Sequence, residues 1–578
     1  IILMIIVSKV PYKYYLKKSN MILLICFILL ILVLIPGIGS VRNGSRSWFG
    51  VAGLGIQPSE FMKLALIIFT SKYIYNNPKD MRSVKKGAFP ILIVTMLSFF
   101  LIMLQPDFGT GTILVMTIVA MLMIPITTRI LHTGDLGNAV SFFSIRNICL
   151  NIFTLASYTA VNRGLLEFHD NKFEFLSSLL LFNLVTIGLF GLVYGIFRSF
   201  FESILGFTPL LSFLLFFSVL LWMSYTIGTT YLLYHNRYKT MFCITMCIGP
   251  FSQFLAIFLI LHLNSDKYLG RIIGLDGFYW IIGFLFLILI LLKGYFTFKK
   301  IYIKYALSLS LPLIPHLLAQ TLLSQSDIIM ITNMCNSDKS GIYSMAYTIA
   351  MVLYALLSQI MAVWSPWCYR RLNEKNTSVI YQYSKVLYFV ALIMSIGLMM
   401  ISPEAVSLFL ADSYHECMYL IPIIIVGMFF LFSYTFFYDI EYYHKKTILI
   451  AVASILAASI NIVLNLIFIP VLGYIAAGYT TAIGYFLLML LHMIFMKKID
   501  NRKIYNIPML FIASLFVLIF ALLMVYLIDY IFLRYLIGIL SILILLFFIR
   551  KDIFSLWFKV VVACIPGAAV TILFDDYI

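Results

Sequence analysis

The sequence predicts an all-α polytopic membrane protein: two six-helix bundles in a parallel pseudo-twofold repeat, with extra N- and C-terminal transmembrane helices. Three observations support this fold class. Of the 578 residues, 63% are hydrophobic and 11% charged, which leaves too little polar surface for a water-soluble chain of this length. Apolar segments of about 20 residues, the length that crosses a bilayer, recur about eighteen times. The third observation is an internal repeat.

The net charge of +17 invites a nucleic-acid function, which the distribution of the charges excludes. The basic residues lie in short loops between apolar segments rather than in one patch or tail. Basic loops are typical of cytoplasmic connections. From residue 172 onward the loops alternate in charge, which predicts one crossing per segment, with 293–304 inside and 335–341 outside. We therefore expect this chain to be surrounded by membrane lipids and to bind no nucleic acid.

The sequence carries no recognisable constellation for covalent chemistry. We find no Gly-rich phosphate loop, Ser-His-Asp set or metal-ligand cluster, so we expect no catalytic residue, no metal and no cofactor. Cys243 and Cys247 share a helix face, but no His or further Cys completes a metal set, and we interpret them as packing residues. The chain begins in the apolar run IILMIIV without an initiator Met, which suggests a severed helix and an incomplete N-terminus.

The front block, residues 1–123, carries three polar insertions between apolar segments. They read NGSRSWFG (43–50), QPSEFMKLALIIF (57–69) and LQPDFGTG (104–111). Glu60 and Lys63 are three residues apart, so they share one helix face and are able to pair. Charges beside apolar helix usually have partners or line a wet cavity. Two interpretations stay open for this pair: an interfacial ion pair or part of a functional site.

In this order and spacing, NGSRSW, QPSEFMKL and QPDFGTG resemble the SEDS family of FtsW- and RodA-like proteins. These are membrane glycosyltransferases that polymerise peptidoglycan from a lipid-linked precursor. The resemblance implies that seven residues match the family's motifs: Arg46, Trp48, Gln57, Glu60, Lys63, Gln105 and Asp107. The family's later helices, and its large extracellular loop with the acid proposed as catalytic, have no counterpart here. We therefore expect polymerase activity only as an alternative function.

The internal repeat organises residues 112–500. Its landmarks are offset by 207, 203 and 204 residues: HNRYKT (235–240) with YHKKT (443–447), LGRIIG (269–274) with LGYIAAG (472–478), and GDLG (134–137) with DKSG (338–341). We interpret the block as two bundles, 112–300 and 301–500, followed by extra transmembrane helices over 501–578. Six crossings per copy keep both copies the same way up, and such repeats commonly enclose a substrate site at their interface.

Polar residues inside these helices are the candidates for that site. The first helix of the second bundle carries His316, Gln320 and Asp327, whose spacing places them on one stripe. Pro312 and Pro315 precede the stripe, and prolines free backbone carbonyls that protein or water must satisfy. Two interpretations stay open: a stripe that faces a transport path, or a hydrogen-bond network that holds helices together.

Three stretches resemble the polysaccharide-flippase branch of the MOP superfamily, which is Wzx-like and related to the lipid II flippases. They are PITTRILHTGDLG, SDIIMITNMCNSDKSGIYSMA and, most distinctive, YYHKKTILIAVASILAASINIVLNLIFIPVLGYIAAGYTTAIGY. The resemblance implies alternating access and the export of an undecaprenyl-diphosphate-linked oligosaccharide across the bacterial inner membrane. It also implies partners in polysaccharide polymerisation or cell-wall synthesis.

The same resemblance suggests roles for single residues. Cavity cations in that family are proposed to hold the diphosphate, which arginine is able to bind bidentately. The candidates here are Arg129, Arg146 and Arg163, with His316 and Gln320 as further substrate-binding residues. Asp327, together with His316, is the candidate for binding a coupling ion, either a proton or sodium. The alternative functions are a SEDS-type glycosyltransferase and a bifunctional fusion of transporter and glycosyltransferase.

The two resemblances disagree about topology where they meet, around residues 112–125. Loop 72–86 and Lys172 are both expected inside, and an odd number of apolar segments between them cannot all span. These segments are 88–104, 111–128 and 138–163. Either one is re-entrant, or the front block inserts in a compromised orientation, or the join is not a natural gene product. We favour a truncated or artefactual join.

Overall fold

The computed structural model describes residues 12–35, 37–42, 45–51 and 54–563, which are almost entirely helical. The start of the chain and the first two residues of the NGSRSW motif lie outside these ranges. In the described part, 15 helices are long and apolar enough to cross a membrane, or 16 if a bent pair counts as one span. The prediction of an all-α polytopic membrane protein is confirmed. The predicted count of about eighteen apolar segments exceeds the number of such helices in the described part, because long helices contain more apolar sequence than one span of about 20 residues needs.

The elements are numbered in chain order. They are α1 (Tyr12–Leu32), β1 (Ser40–Arg42), β2 (Ser45–Val51), β3 (Leu54–Ile56), α2 (Pro58–Asn76), α3 (Phe89–Met103), α4 (Phe108–Ile130), α5 (Thr133–Phe153), α6 (Val161–Glu167), α7 (Lys172–Ile196), α8 (Arg198–Leu205), α9 (Pro209–Tyr234), α10 (Tyr238–His262), α11 (Lys267–Lys293), α12 (Lys300–Ser310), α13 (Ile314–Met334), α14 (Ser337–Asn373), α15 (Thr377–Phe409), α16 (Ile421–Tyr443), α17 (Thr447–Leu472), α18 (Ile475–Ile499), α19 (Ile507–Tyr526) and α20 (Ile531–Ala563).

The chain divides into two compact units. The first comprises the chain up to His132 with Lys239–Phe278 and Ala405–His415, and the second comprises Thr133–Tyr238, Tyr279–Glu404 and the chain from Glu416. The predicted division of the sequence near residues 123, 300 and 500 stays a prediction.

In the first unit, three short strands form an antiparallel sheet in the order β1–β2–β3. Helix α2 begins at Pro58, whose fixed φ and missing N–H suit the first turn of a helix. Asp107 caps α4, because its Oδ1 accepts a hydrogen bond from the Thr110 N–H at 3.1 Å. Leu30 of α1 and Leu66 of α2 lie in the fully buried core of this unit. Polar motifs thus alternate with helices that pack on one another.

The internal repeat is confirmed at the level of helices. Each landmark lies at the start of a helix: α5, α10 and α11 in the first copy, and α14, α17 and α18 in the second. In the second unit α16 is the most enclosed helix and packs against α14, α18 and α19. Helix α13 packs against α17 on one side and against α5 on another. This places α13 between the two copies of the repeat.

Equivalent segments of the two copies contact each other in the second unit. A Cβ on Gly137 of α5 would lie 1.8 Å from the Ser337 carbonyl oxygen, and one on Gly341 of α14 would lie 2.1 Å from the Thr133 carbonyl oxygen. Only glycine permits so close an approach. The Thr133 hydroxyl also donates a hydrogen bond to the Asp338 carboxylate. The starts of α5 and α14 are therefore pressed together backbone to backbone.

The apolar segment 138–163 near the junction is a broken helix. The α5 helix (Thr133–Phe153) is followed by a second helical stretch, Ser157–Glu167, which is bent from it by 63°. Leu155 and Ala156 between them both have φ of 49°, in the left-handed region that ends a right-handed helix. Such a bend occurs in a broken span as well as in a re-entrant segment, so the interpretation of the topology conflict stays open. The origin of the join stays a prediction.

Candidate functional site

In the first unit, the three polar motifs of the front block meet. The Gln57 side-chain amide donates to Asp107 Oδ2 at 2.8 Å, which joins the second motif to the third. The Ser45 hydroxyl donates to the Gln105 carbonyl oxygen at 2.6 Å, which joins the first motif to the third. Gln105 itself is fully buried and donates from Nε2 to the Leu30 carbonyl oxygen at 3.3 Å. Hydrogen bonds thus join the three motifs into one cluster.

The charged motif residues lie at the edge of this cluster. Lys63 and Glu60 form the predicted ion pair, with Nζ 2.8 Å from Oε1. The Glu60 side chain is 54% exposed, so the pair contributes little to stability, about 0–1 kcal/mol. Arg46 lies on β2 opposite Val41, and Trp48 lies on the same strand opposite Ser40. The sheet thus fixes the register of both residues, whose predicted roles stay predictions.

Arg146 is the buried member of the three candidate arginines. It lies on α5 with 6% exposure, and its guanidinium carbon is 4.1 Å from the centre of the Trp222 ring. It also donates from Nη2 to Asn147 Oδ1 at 3.1 Å. An arginine this deep among apolar helices is costly unless its charge has a use. Stacking on tryptophan holds the guanidinium plane in place.

The other two candidate arginines have different surroundings. Arg163 is exposed on α6. Arg129 belongs to the first unit, where its Nη1 donates to the carbonyl oxygens of Pro125 and Phe409, each at 3.2 Å. These contacts tie the end of α4 to the last residue of α15. That these arginines are candidates for holding the diphosphate stays a prediction.

The contact between α5 and α13 is polar in the second unit. Ser144 donates to Gln325 Oε1 at 2.7 Å, and Asn151 donates from Nδ2 to Thr321 Oγ1 at 3.1 Å. The Tyr158 hydroxyl donates to Asn151 Oδ1 at 2.7 Å. Hydrogen bonds between helices from the two copies of the repeat are suited to a surface that separates and re-forms, because each partner is also able to bind water.

The predicted stripe on α13 faces the second bundle. His316 Nδ1 lies 3.1 Å from Ser454 Oγ on α17, and Gln320 hydrogen-bonds to Tyr434 on α16. Both residues of the stripe are half-buried. They therefore contact neighbouring helices, as the network interpretation requires, and keep some exposed surface, as the transport-path interpretation requires. Both interpretations stay open for them.

Asp327 lies at the centre of a buried hydrogen-bond network. Its side chain is 1% exposed, and Oδ2 accepts from the hydroxyls of Tyr343, at 2.8 Å, and Thr481. Oδ1 accepts from Asn465 Nδ2 at 2.5 Å, and Asn465 Oδ1 in turn accepts from Thr480. The network joins α13, α14, α17 and α18. It includes Asn465 of the distinctive Lys-Thr helix segment, so the polar residues of that signature serve this carboxylate.

Ion pairs hold the loops at the two ends of the second unit. Lys339 Nζ lies 2.6 Å from Glu416 Oε2, which also accepts from the Tyr474 hydroxyl at 2.9 Å. The hydrogen bond from Lys339 holds the pKa of Glu416 below its usual value. At the other end, hydrogen bonds from Arg502 lower the pKa of Asp500 to about 2. Each of these carboxylates is thus ionised at neutral pH.

Comparison with known families decides where the chain belongs. The family described as "Polysaccharide biosynthesis protein" matches residues 126–419, just over half of the chain. The chain belongs to this polysaccharide biosynthesis family. Residues 1–170 match the family described as "Cell cycle protein", which is that of FtsW, RodA and SpoVE. Both predicted resemblances are confirmed, and the two matches overlap over residues 126–170.

Two curated relatives are similar to part of this polysaccharide biosynthesis protein. It is 46% identical to the stage V sporulation protein E of Bacillus subtilis over 137 residues, 24% of this chain and 37% of that protein. It is 38% identical to the probable peptidoglycan glycosyltransferase FtsW of Dichelobacter nodosus over 110 residues, 19% of this chain and 28% of that protein. The chain thus spans about a third of the length of the curated relatives it matches.

A solved structure shares the fold. The lipid II flippase MurJ in an inward closed conformation aligns with a TM-score of 0.51 and 16% identity, over 75% of this chain and 100% of that chain. At this identity the likeness concerns the fold alone. The shared fold agrees with the all-α transmembrane architecture predicted for this member of the polysaccharide biosynthesis family.

Sequence reasoning missed three charged groups of this polysaccharide biosynthesis protein, all buried except for the partly exposed Glu404. They are Asp439, the pair Glu441 and His492, and the pair Arg534 and Glu404. All lie within two to three turns of a helix end, where a charged residue is interpreted from the sequence as lying at the membrane interface. The segment YDIEYY was a usable signal, because its two acids, Asp439 and Glu441, are two residues apart. Side chains at this spacing lie on opposite faces of one helix, and both faces cannot face water at the membrane surface.

Arg534 explains how the C-terminal helices attach to the bundle. It is 1% exposed, donates from Nη1 to the Ile528 carbonyl oxygen at 2.5 Å, and donates from Nη2 to the Glu404 carboxylate of α15. The sequence predicted extra helices after residue 501 but no contact for them. The buried guanidinium now supplies one, between α20 and the repeat.

Proposed function

We propose that this chain carries an undecaprenyl-diphosphate-linked oligosaccharide across the bacterial inner membrane by alternating access. The match to the polysaccharide biosynthesis family and the MOP-type fold support this function. The observation that carries it is Arg146, a guanidinium buried in α5 and stacked on Trp222 at 4.1 Å. A diphosphate is the anionic group shared by such lipid-linked sugars, and the edge of a stacked guanidinium is suited to bind it bidentately.

The surroundings of Arg146 support a binding region that opens and closes. Arg146 lies on the same helix as Ser144 and Asn151, whose hydrogen bonds to α13 join the two copies of the repeat. Near the start of this helix, Gly137 holds α5 against α14. A substrate held beside α5 would therefore be released to one side or the other when these contacts change. This proposal needs no covalent chemistry from the protein.

The test is transport by the purified full chain in liposomes. A fluorescent undecaprenyl-diphosphate-linked sugar is placed in one leaflet, and its movement to the other leaflet is followed by quenching. We expect Arg146→Gln to reduce the rate at least about tenfold, with Arg146→Lys in between, because lysine keeps the charge and loses the bidentate geometry. Arg198→Gln is the matched control, since Arg198 pairs with Glu202 and is exposed. Equal rates for wild type and Arg146→Gln would reject the proposed role.

The cluster of motif residues in the first unit favours a second candidate, a SEDS-type glycosyltransferase or a bifunctional protein. Gln57 and Asp107 are joined at 2.8 Å, and the buried Gln105 Oε1 has no hydrogen-bond partner among the described residues. An acceptor left in a buried motif suggests that the cluster binds a donor group of a ligand. Incubation with lipid II separates the candidates: glycan chain growth that Asp107→Asn abolishes would establish the enzyme. Movement between leaflets without growth supports the transporter.

A further inference from the structure

Glu441 and His492 form a fully enclosed pair in the second unit. Glu441 lies on α16 and His492 on α18, with Glu441 Oε2 3.0 Å from His492 Nδ1. Both side chains have no exposed surface. Burying two ionisable groups costs several kcal/mol per charge unless other groups compensate. Such a pair, fully enclosed by packed helices, needs a reason beyond packing.

The pair differs from the other buried acids of this bundle in its hydrogen bonds. Asp439 accepts from Ser365 at one oxygen and from Tyr369 at the other, and both oxygens of Asp327 accept as well. By contrast, Glu441 Oε1 and His492 Nε2 have no partner among the described residues. Each side of the pair therefore keeps one free position, an acceptor on the carboxyl group and a nitrogen on the imidazole.

The number of protons on the pair decides its charge. With the proton on Nδ1 of a neutral imidazole, donated to a carboxylate, the pair carries one negative charge in an apolar setting. One further proton, on Oε1 or on Nε2, makes the pair neutral overall. Both of these positions are the ones that lack a partner, so the proton has a place to go without breaking the bond between Nδ1 and Oε2. The geometry thus provides one dissociable proton.

Titratable groups from the packed helices surround the pair. The Tyr434 ring lies 5.3 Å and the Tyr438 ring 6.3 Å from the His492 ring, both on α16. Helix α13 contributes His316, whose charge interacts with that of His492. The further ionisable groups of the neighbouring elements are Asp439 on α16, Tyr354 and Tyr369 on α14, Tyr505 before α19, and His444 with Asp500 at the helix ends. None of these supplies the missing partner of Glu441 Oε1 or His492 Nε2.

We propose that Glu441 and His492 bind one proton inside the second bundle and release it when the bundle opens to water. Glu441 lies two residues before the end of α16 at Tyr443, so about 3 Å of helix separates it from the loop. On the other side, the Tyr434 ring lies between His492 and Gln320 of α13, the helix that contacts α5. The proton comes from water and returns to water. Proton binding stands by itself, whereas its coupling to transport rests on the proposed function.

The experiment is an infrared pH titration of the purified full chain in lipid nanodiscs. The carbonyl band of a protonated carboxyl group is followed between about pH 5 and pH 9. We expect a titrating band that Glu441→Gln removes and that the control Asp439→Asn keeps. His492→Gln should move the midpoint of the band by at least one pH unit, a tenfold change in proton affinity, because the partner of the carboxyl group is lost.

The outcomes separate this inference from the proposed function. A spectrum of Glu441→Gln identical to that of the wild type would overturn the proton site. If Glu441→Gln does not fold, the His492→Gln midpoint decides, since an unmoved midpoint also overturns it. Transport of the fluorescent lipid-linked sugar is measured on the same preparations. A wild-type chain with the titrating band but without transport would reject the proposed function and leave the proton site standing.

Discussion

One substitution in the Asp327 network tests the role of the negative charge separately from the role of packing. Asp327→Asn keeps the shape of the side chain and removes the negative charge. The amide Oδ1 is still able to accept from Asn465 Nδ2, as the carboxylate does now at 2.5 Å. The amide NH₂ would face the hydroxyls of Tyr343 and Thr481, and hydroxyls are able to accept as well as donate. The substituted network stays satisfied.

The expected cost in stability follows from these contacts. Asp327→Asn should change the free energy of unfolding by less than about 1 kcal/mol, because no buried donor loses its partner. Asp327→Ala should cost about 3 kcal/mol, since it leaves a small cavity and removes the short acceptor of two buried donors. Among the described residues, Tyr343 then keeps only Thr481, at 3.2 Å, and Asn465 Nδ2 keeps only Asn461 Oδ1, at 3.4 Å. Thr481 adds little to that cost, because its hydroxyl also donates to the Ala477 carbonyl oxygen at 2.6 Å.

The assay measures stability and ion coupling on the same variants. Thermal unfolding in detergent tests the predicted order of the midpoints: wild type and Asp327→Asn should have similar midpoints, and Asp327→Ala should have a lower one. Transport of the labelled lipid-linked sugar into liposomes is then measured with and without an imposed proton or sodium gradient. Asp439→Asn serves as the matched control, since Asp439 is a buried acid of the same bundle with both oxygens hydrogen-bonded.

If Asp327 binds the coupling ion, Asp327→Asn should transport without responding to the gradient, while Asp439→Asn responds as the wild type does. An unchanged response of Asp327→Asn would refute the ion site and leave the network with a packing role. A large loss of stability in Asp327→Asn would instead refute the hydrogen-bond reasoning, because it would mean that the hydroxyls cannot reverse direction.

Three further predictions concern the ends of the helices. Gly137→Ala should destabilise the chain by about 1–3 kcal/mol in thermal unfolding, because α5 must move away from α14, whereas Gly188→Ala, with open space around it, should be neutral or slightly stabilising. Arg534→Met should lower the free energy of unfolding by less than the 3–5 kcal/mol of a broken fully buried pair, because Glu404 is partly exposed and water solvates it. An unchanged unfolding midpoint would show that α20 is held by apolar contacts alone. Because the pKa of Asp500 is lowered, its ionised carboxylate stabilises the folded state above about pH 4, and this stabilisation is lost as the pH falls towards 2. Asp500→Asn should therefore lower the thermal unfolding midpoint at pH 7 and match the wild type near pH 2.

Much of the architecture followed from the sequence because the bilayer leaves few choices. Apolar length predicts helices, and the repeat landmarks predicted which helices correspond, since each landmark is a helix start. Their exact number did not follow. The helices Ser337–Asn373 and Thr377–Phe409 have 37 and 33 residues, well beyond a minimal span, and apolar length alone does not show where one helix ends.

The candidate site was predicted only in part, for a physical reason. Asp327 and His316 were found from spacing on one helix, because residues on one face share an environment. Their partners Ser454, Tyr343 and Thr481 come from three other helices. Such contacts depend on how helices rotate and cross, which local sequence does not encode. Arg146 likewise owes its position to Trp222, which lies far from it in the sequence.

The contact between the two copies of the repeat bears on how the second unit would move. In two copies related by a twofold axis, equivalent positions meet each other only close to that axis. Asp338 lies in the DKSG landmark, Thr133 directly precedes the matching GDLG landmark, and the two are joined by a hydrogen bond, so the starts of α5 and α14 lie beside the axis. Gly137 and Gly341 keep the two backbones in contact there.

A motion of one copy against the other therefore has to separate these two helix starts or turn about them. Farther along α5, the contacts with α13 are made by side chains, Ser144 with Gln325 and Asn151 with Thr321, which water is able to replace. Backbone contact between glycines leaves no room for water, so the two regions of the interface differ in what it takes to open them. On the proposed function, we therefore expect a charged substrate to enter at the polar region around Arg146 rather than at the glycine contact.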